Sequence, residues 1–191
     1  AQKGLLLPPG LSFNAISSKA IEAYRSADLP KSYWDWEPML ENNKKGYFPY
    51  TPATNLLYGL DEAINMLTEE GLENVFTRHK RFAEATRIAV NSWGLEILCK
   101  NPAEYSDSLT AVLVPEGHDA DFLRKTILDN YNMSLGTGLA KVAGKVFRIG
   151  HLGDFNELML AGTLAGVEMG LMKSKIPYQK GGLLKALEYL C

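Results

Sequence analysis

Cysteine and histidine are scarce in this chain. Cys99 and Cys191 stand far apart, and the three histidines, His79, His118 and His151, are isolated from them and from one another. No group of His, Cys, Asp and Glu has metal-ligand spacing, so a zinc site is not expected. Two distant cysteines build no disulfide framework, and a reducing, cytoplasmic home follows. Excess charge of one sign is also lacking, with 20 Lys and Arg against 22 Asp and Glu and a net charge of −2. The clustered basic residues of a nucleic-acid partner are not there. No apolar run is long enough for a bilayer and no secretory signal is read, so no membrane partner is expected. Gly136-Thr137-Gly138 lacks a third glycine in dinucleotide spacing, and Gly144-Lys145 precedes a strand rather than a helix. Ser12, Ser17 and Ser18 have no nucleophile-elbow context. What remains is ordinary globular composition, 46% hydrophobic and 22% charged over 191 residues.

Periodicity places the elements. Lys3–Leu7 reads as a strand edge closed by Pro8-Pro9-Gly10, and Leu11–Ile16 as a second short strand. Ser17 or Ser18 caps a helix to about Ala27. Ser32–Met39 reads as extended, with Pro38 against a central strand. Helices follow over Thr54–Glu70, with Leu57, Leu60, Ile64 and Leu67 as its apolar stripe, and over Leu72–Ser92, with Val75, Phe82 and Val90 inside. Gly71 separates them. On the second helix Arg78, Lys80, Arg81 and Arg87 read as a solvated face. Strands are expected at Leu95–Leu98, Leu109–Val114, Asn132–Leu135 and Val146–Ile149. A helix spans Asp119–Asn130 with Phe122, Leu123, Ile127 and Leu128 inside. Gly136–Gly138 reads as a mobile or close-approach loop. Asp154 and Glu157 suggest a capping box for a helix carrying Leu160, Leu164, Val167 and Leu171. A short helix over Gly181–Leu190 ends the chain. The pattern suits a small antiparallel or mixed sheet with helices on one face. The first 71 residues have too few strands for a core of their own.

Three places could carry chemistry. Lys3, before an apolar run and a Pro-Pro-Gly turn, is either a surface lysine at a strand end or a partly desolvated amine with a lowered pKa, suited to bonding a carbonyl. Gly46–Pro52 holds three aromatics and two prolines, and reads either as a stiff ligand loop or as a packed aromatic turn. Arg148 lies in an apolar strand, where a guanidinium needs an anion. The anion is either a structural Asp or Glu, or a substrate carboxylate gripped by two parallel hydrogen bonds.

Together these stretches resemble a family. Gln2-Lys3-Gly4-Leu5-Leu6-Leu7-Pro8-Pro9-Gly10, Tyr47-Phe48-Pro49-Tyr50-Thr51-Pro52, Leu57-Tyr58-Gly59-Leu60, Gly71-Leu72-Glu73-Asn74 and Lys141–Gly153 run in the order found in class V, fold type I pyridoxal-phosphate aminotransferases. The resemblance is strongest to the serine–glyoxylate and alanine–glyoxylate enzymes. It implies an α/β fold, with residues 1–71 the end of a large cofactor domain and 72–191 a small C-terminal α+β domain with a mostly antiparallel sheet. It implies that Lys3 is the catalytic lysine that bonds pyridoxal 5'-phosphate, that Gln2 helps hold the phosphate, and that Thr51 with Tyr50 or Tyr47 reaches the phosphate of a neighbouring subunit in a homodimer. Arg148 would bind the substrate carboxylate. Phe48 departs from members that carry Tyr there, and has no hydroxyl to offer. The implied reaction moves an amino group from serine or alanine to glyoxylate. Alternatives are an inactive fragment that serves as a dimerisation or packing module, and another fold type I enzyme such as a desulfurase, which would need a cysteine that neither Cys99 nor Cys191 supplies. The chain opens at Ala1-Gln2-Lys3 without Met, so it is expected to be the C-terminal portion of a longer protein, whose other half supplies the remaining cofactor contacts.

Overall fold

A helix persists where its apolar residues recur every three or four positions and its ends are capped, and the two longest periodic stretches obey both conditions. The computed structural model describes residues 1–191. It divides into two compact units, Ala1–Asn65 and Met66–Cys191, so the division falls within a helix.

In the first unit, α1 (Ser18–Ser26) is capped by Ser17, whose hydroxyl accepts from the Ala20 amide. α2 (Trp36–Asn43) occupies much of the stretch read as extended. Asp35 caps it by accepting from the Glu37 amide at 3.1 Å, and Pro38 falls in its first turn, where a missing N–H costs nothing. The two expected strands are absent. The Leu6 amide donates to the Lys3 carbonyl at 3.0 Å, Leu6 has φ 61°, and the chain turns there instead. Leu11–Ile16 has no neighbouring strand, and a strand without a ladder leaves its backbone groups unpaired. α3 begins at Thr54 and ends at Glu70 as its pattern predicts. Its stripe is only half-buried, and Ile64 is exposed. Among the apolar residues of 1–65 only Leu7 and Ala63 are buried, so this unit has no core of its own.

The second unit holds the core. α4 (Leu72–Ser92) and α6 (Glu157–Lys173) supply Phe82, Val90, Leu160, Leu164 and Leu171, all fully buried. α5 (Ala120–Tyr131) adds Leu123 and Ile127, while Phe122 and Leu128 are exposed, against expectation: they lie off the face that meets the sheet. The sheet is antiparallel throughout, ordered β1 (Glu96–Ile97), β2 (Leu109–Leu113), β4 (Val146–Gly150), β3 (Gly136–Thr137). β3 lies just beyond the stretch expected to form it, because Asn132 takes a left-handed conformation (φ 52°) that ends α5. Val112 pairs with Phe147 and Thr110 with Ile149, on the face that joins the helical core. Alternation then puts Ala111 and Arg148, paired with each other, on the opposite face.

α7 (Gly182–Leu190) begins at glycine and has no side-chain cap of its own. Glu168 of α6 caps it from outside, accepting from the Gly181 amide at 2.7 Å, the Leu183 amide at 3.0 Å and the Trp93 indole N–H at 3.0 Å. Burial pushes the Glu168 carboxyl up, but the bonds from Gly181, Trp93 and Leu183 outweigh it and leave the group below the usual range. Trp93 is fully buried, and a β-carbon at Gly182 would sit 2.3 Å from its Nε1. Glu168→Ala orphans three donors at once, so a loss of roughly 2–4 kcal/mol is expected, near the worth of one or two hydrogen bonds to a charged group. Urea unfolding checks this; a midpoint unchanged from wild type would show that the cap does not matter.

Candidate functional site

Lys3 sits at the first position of the turn closed by the Leu6 amide. Its side chain is exposed rather than desolvated, and the amine takes part in no hydrogen bond or ion pair. The expected apolar shelter does not arise within this chain, because Leu5 and Leu6 are only half-buried and Gly4 faces open space. The Gln2 side-chain oxygen accepts from the Ala1 amino group at 3.2 Å.

The 47–52 loop leaves α2 with its backbone fixed. The Tyr47 amide donates to Asn42 O at 2.9 Å, and Asn43 Nδ2 donates to Tyr47 O at 3.0 Å. Tyr47, Phe48 and Tyr50 are exposed, by 69%, 49% and 54%, so the loop is not a packed aromatic turn within this chain. The Tyr50 ring lies 5.0 Å from that of Tyr33. Neither tyrosine hydroxyl nor that of Thr51 makes a hydrogen bond, and none joins this loop to Lys3 or Gln2. Lys3 is an amine of the type that bonds an aldehyde, and the three hydroxyls are donors of the type that bind a phosphate, but this chain does not bring the amine and the hydroxyls together.

Arg148 belongs to the second unit. It forms no ion pair, and its Nε is buried without a hydrogen-bond partner. Of the two anions open to it, no Asp or Glu of this chain is the partner. A buried unpaired donor costs about 1–3 kcal/mol, a cost that Arg148 Nε shares with the hydroxyls of Ser174 and Tyr178. No group of His, Cys, Asp and Glu could hold a metal ion.

The turn after β4 is held by residues that charge patterning misplaces. Arg78, assigned to a solvated face, makes a bidentate pair with Glu70 (2.6 and 2.7 Å) and donates to the carbonyls of Gly153 and Phe155. His79 Nε2 accepts from the Gly153 amide at 3.0 Å, while Nδ1 donates to Val75 O. Arg81 pairs with Glu157, and Arg87 is buried beside Glu84. His151 is fully buried between Thr110 Oγ1 and Asp107 O; burial lowers its pKa to about 4, so it is neutral at pH 7. Because these contacts hold residues 151–155 in a turn, the helix starts later than the Asp154 capping box implies. Asn156 is the cap, accepting from the Met159 amide, and Glu157 is the first helical residue. Glu70 and Arg78 lie eight residues apart across the Gly71 break between α3 and α4, beyond the three- and four-residue pairs that charge patterning reads.

No family profile matches the chain. Along its whole length it is 50% identical to a serine–glyoxylate aminotransferase of Methylorubrum extorquens, covering 49% of that protein. It is 44% identical to an L-aspartate–glyoxylate aminotransferase of Paracoccus denitrificans, with 99% of this chain and 48% of that one aligned. Among solved structures, the ureidoglycine–glyoxylate aminotransferase of Bacillus subtilis superposes with a TM-score of 0.86 at 27% identity, over 99% of this chain and 50% of the other. The chain spans about half the length of the curated relatives it matches. It belongs to the class V, fold type I aminotransferases and corresponds to the C-terminal half of their glyoxylate-type members.

Proposed function

We propose that this chain is part of a pyridoxal-phosphate aminotransferase that moves an amino group from serine or alanine to glyoxylate, giving glycine and hydroxypyruvate or pyruvate. The observation that carries the reading is Arg148, a buried guanidinium nitrogen without a partner on an otherwise apolar strand. Amino donor and keto acceptor each present a carboxylate there, so one arginine serves both halves of the exchange. Its two parallel bonds fix the orientation of the substrate Cα–H.

When bound, pyridoxal phosphate supplies the electron sink and carries the amino group between the two half-reactions. Lys3 Nζ bonds it at rest. Once displaced by substrate, the amine would take the proton from the Cα of the amino donor as base and, in the second half-reaction, would place one on the Cα of the nascent glycine as acid. Gln2 contributes to the phosphate site. Thr51, with Tyr50 or Tyr47, reaches the phosphate held by a neighbouring subunit, which makes the enzyme a homodimer with shared sites. Location in the cytoplasm completes the proposal and rests on the two free cysteines; no helix is long and apolar enough to cross a membrane. Relatives are named for serine and for aspartate as donor. Since both donors carry the carboxylate that Arg148 would grip, the choice between them falls to residues that meet the donor side chain.

A second reading keeps one observation in its favour. Residues 1–65 bury only Leu7 and Ala63 among their apolar side chains, as suits a packing or dimerisation module with no activity by itself. The test uses the full-length holoenzyme and its absorption spectrum. Serine should bleach the yellow band and glyoxylate should restore it. A band indifferent to serine, alanine and glyoxylate would overturn the proposed reaction.

A further inference from the structure

We infer that Gly136 is a positioning residue for the substrate arginine, an inference that rests on the reading of Arg148 as the carboxylate grip. Gly136 pairs with Arg148 across the edge of the sheet. A β-carbon at 136 would lie 3.0 Å from Arg148 Cβ, 3.0 Å from its Nε and 3.4 Å from its Cζ. The arginine stem therefore runs over the glycine through space that any other residue would claim. The φ of Gly136 is outside the left-handed region, so alanine could adopt its backbone without strain. What glycine supplies at 136 is room rather than conformational freedom.

Something must give when that room is filled, and the surroundings decide what. β3 is only two residues long, yet it is pinned to α5 on both sides of Gly136. Arg124 Nε donates to the Leu135 carbonyl at 2.8 Å, and Thr137 Oγ1 donates to Asp121 Oδ1 at 2.9 Å. Arg124 also pairs with Asp121 at 2.7 Å. The Arg124 guanidinium, then the Thr137 hydroxyl, hold the Asp121 carboxyl below the usual range, so it stays an acceptor at neutral pH. Beyond the strand, a β-carbon at Gly138 would meet Val142 O at 2.1 Å, so the chain is closed in there as well. Arg148 has no hydrogen bond to hold its Nε, and is the freer partner. A side chain at 136 thus displaces the guanidinium, while its 3.0 Å contact with Arg148 Cβ, which is fixed to β4, is relieved by a shift of a few tenths of an ångström between the strands.

Gly136→Ala in the full-length holoenzyme should raise KM for serine and for glyoxylate alike. The expected rise is about tenfold, short of the ~100-fold that a 1 Å misplacement can bring. The turnover number should hold. Glycolate, a carboxylate with no amino or keto group to exchange, should bind about tenfold more weakly by calorimetry. In an Arg148→Ala background the same substitution should add nothing, because its effect passes through the arginine. If Gly136→Ala leaves both Michaelis constants unchanged while Arg148→Ala raises them, Gly136 has no such role. The same conclusion follows if its effect persists without Arg148. If Arg148→Ala itself changes nothing, the carboxylate reading is what fails. Should Gly136→Ala not fold, Thr137→Val decides: it cuts the bond to Asp121 without filling position 136, and a shared rise in both constants is expected. Unchanged constants there overturn the inference.

Discussion

Lys3→Ala in the full-length protein should eliminate turnover, and the loss should be complete. The amine is asked for two tasks that no other group in its neighbourhood can take over. In the proposed reaction it would bond the cofactor at rest and would move the proton at the substrate Cα. General base catalysis alone contributes about 100- to 10,000-fold, and the loss of the covalent attachment adds to that. Lys3 is exposed and unpaired in the turn closed by Leu6, so its removal breaks no contact and the fold should survive. That makes the experiment clean. The expected result is a folded protein that borohydride no longer labels with cofactor and that no longer consumes serine. A variant that retained turnover would remove Lys3 from the chemistry.

Arg148→Ala should weaken amino and keto acids together, by about 2–4 kcal/mol, the lower part of the range found when one partner of a buried charge pair is truncated. That corresponds to roughly 30- to 1,000-fold in apparent affinity. The sign and breadth of the effect matter more than its size. A side-chain pocket would discriminate among donors, whereas loss of a carboxylate grip penalises every substrate, including glyoxylate. Arg148→Lys should recover only part of the loss, because a single ammonium cannot make two parallel bonds to a carboxylate. The measurement is a pair of Michaelis constants for each variant. Wild-type values for serine and glyoxylate in Arg148→Ala would return Arg148 to a structural role.

Much of this was legible in the order of the residues. The bounds of α3 and α4 follow from apolar spacing interrupted by Gly71, and β4 from its alternation, with Phe147 and Ile149 facing the core. The site residues were legible as chemistry but not as surroundings. An arginine in an apolar strand announces the need for an anion; that its Nε has none within the chain depends on which acids the fold brings near, and spacing does not encode that. Lys3 is a different case, open in the sequence between surface and shelter. Its apolar neighbours suggested shelter, yet shelter requires surfaces from elsewhere, and residues 1–65 do not supply them. Arg78 failed for a third reason. A charge on a helix looks solvated until a distant turn presents Gly153 O and Phe155 O to it.

The external cap on α7 also gives the molecule a built-in optical reporter. This chain has three tryptophans; Trp34 is 78% exposed, Trp36 is half-buried, and Trp93 is fully buried beneath Gly182 and bonded to Glu168. If α7 lifts away, the carboxylate loses the helix start and the indole loses its cover in the same event. Emission from Trp93 should then shift to longer wavelength before the sheet opens, so detachment of the last nine residues of helix can be followed separately from global unfolding.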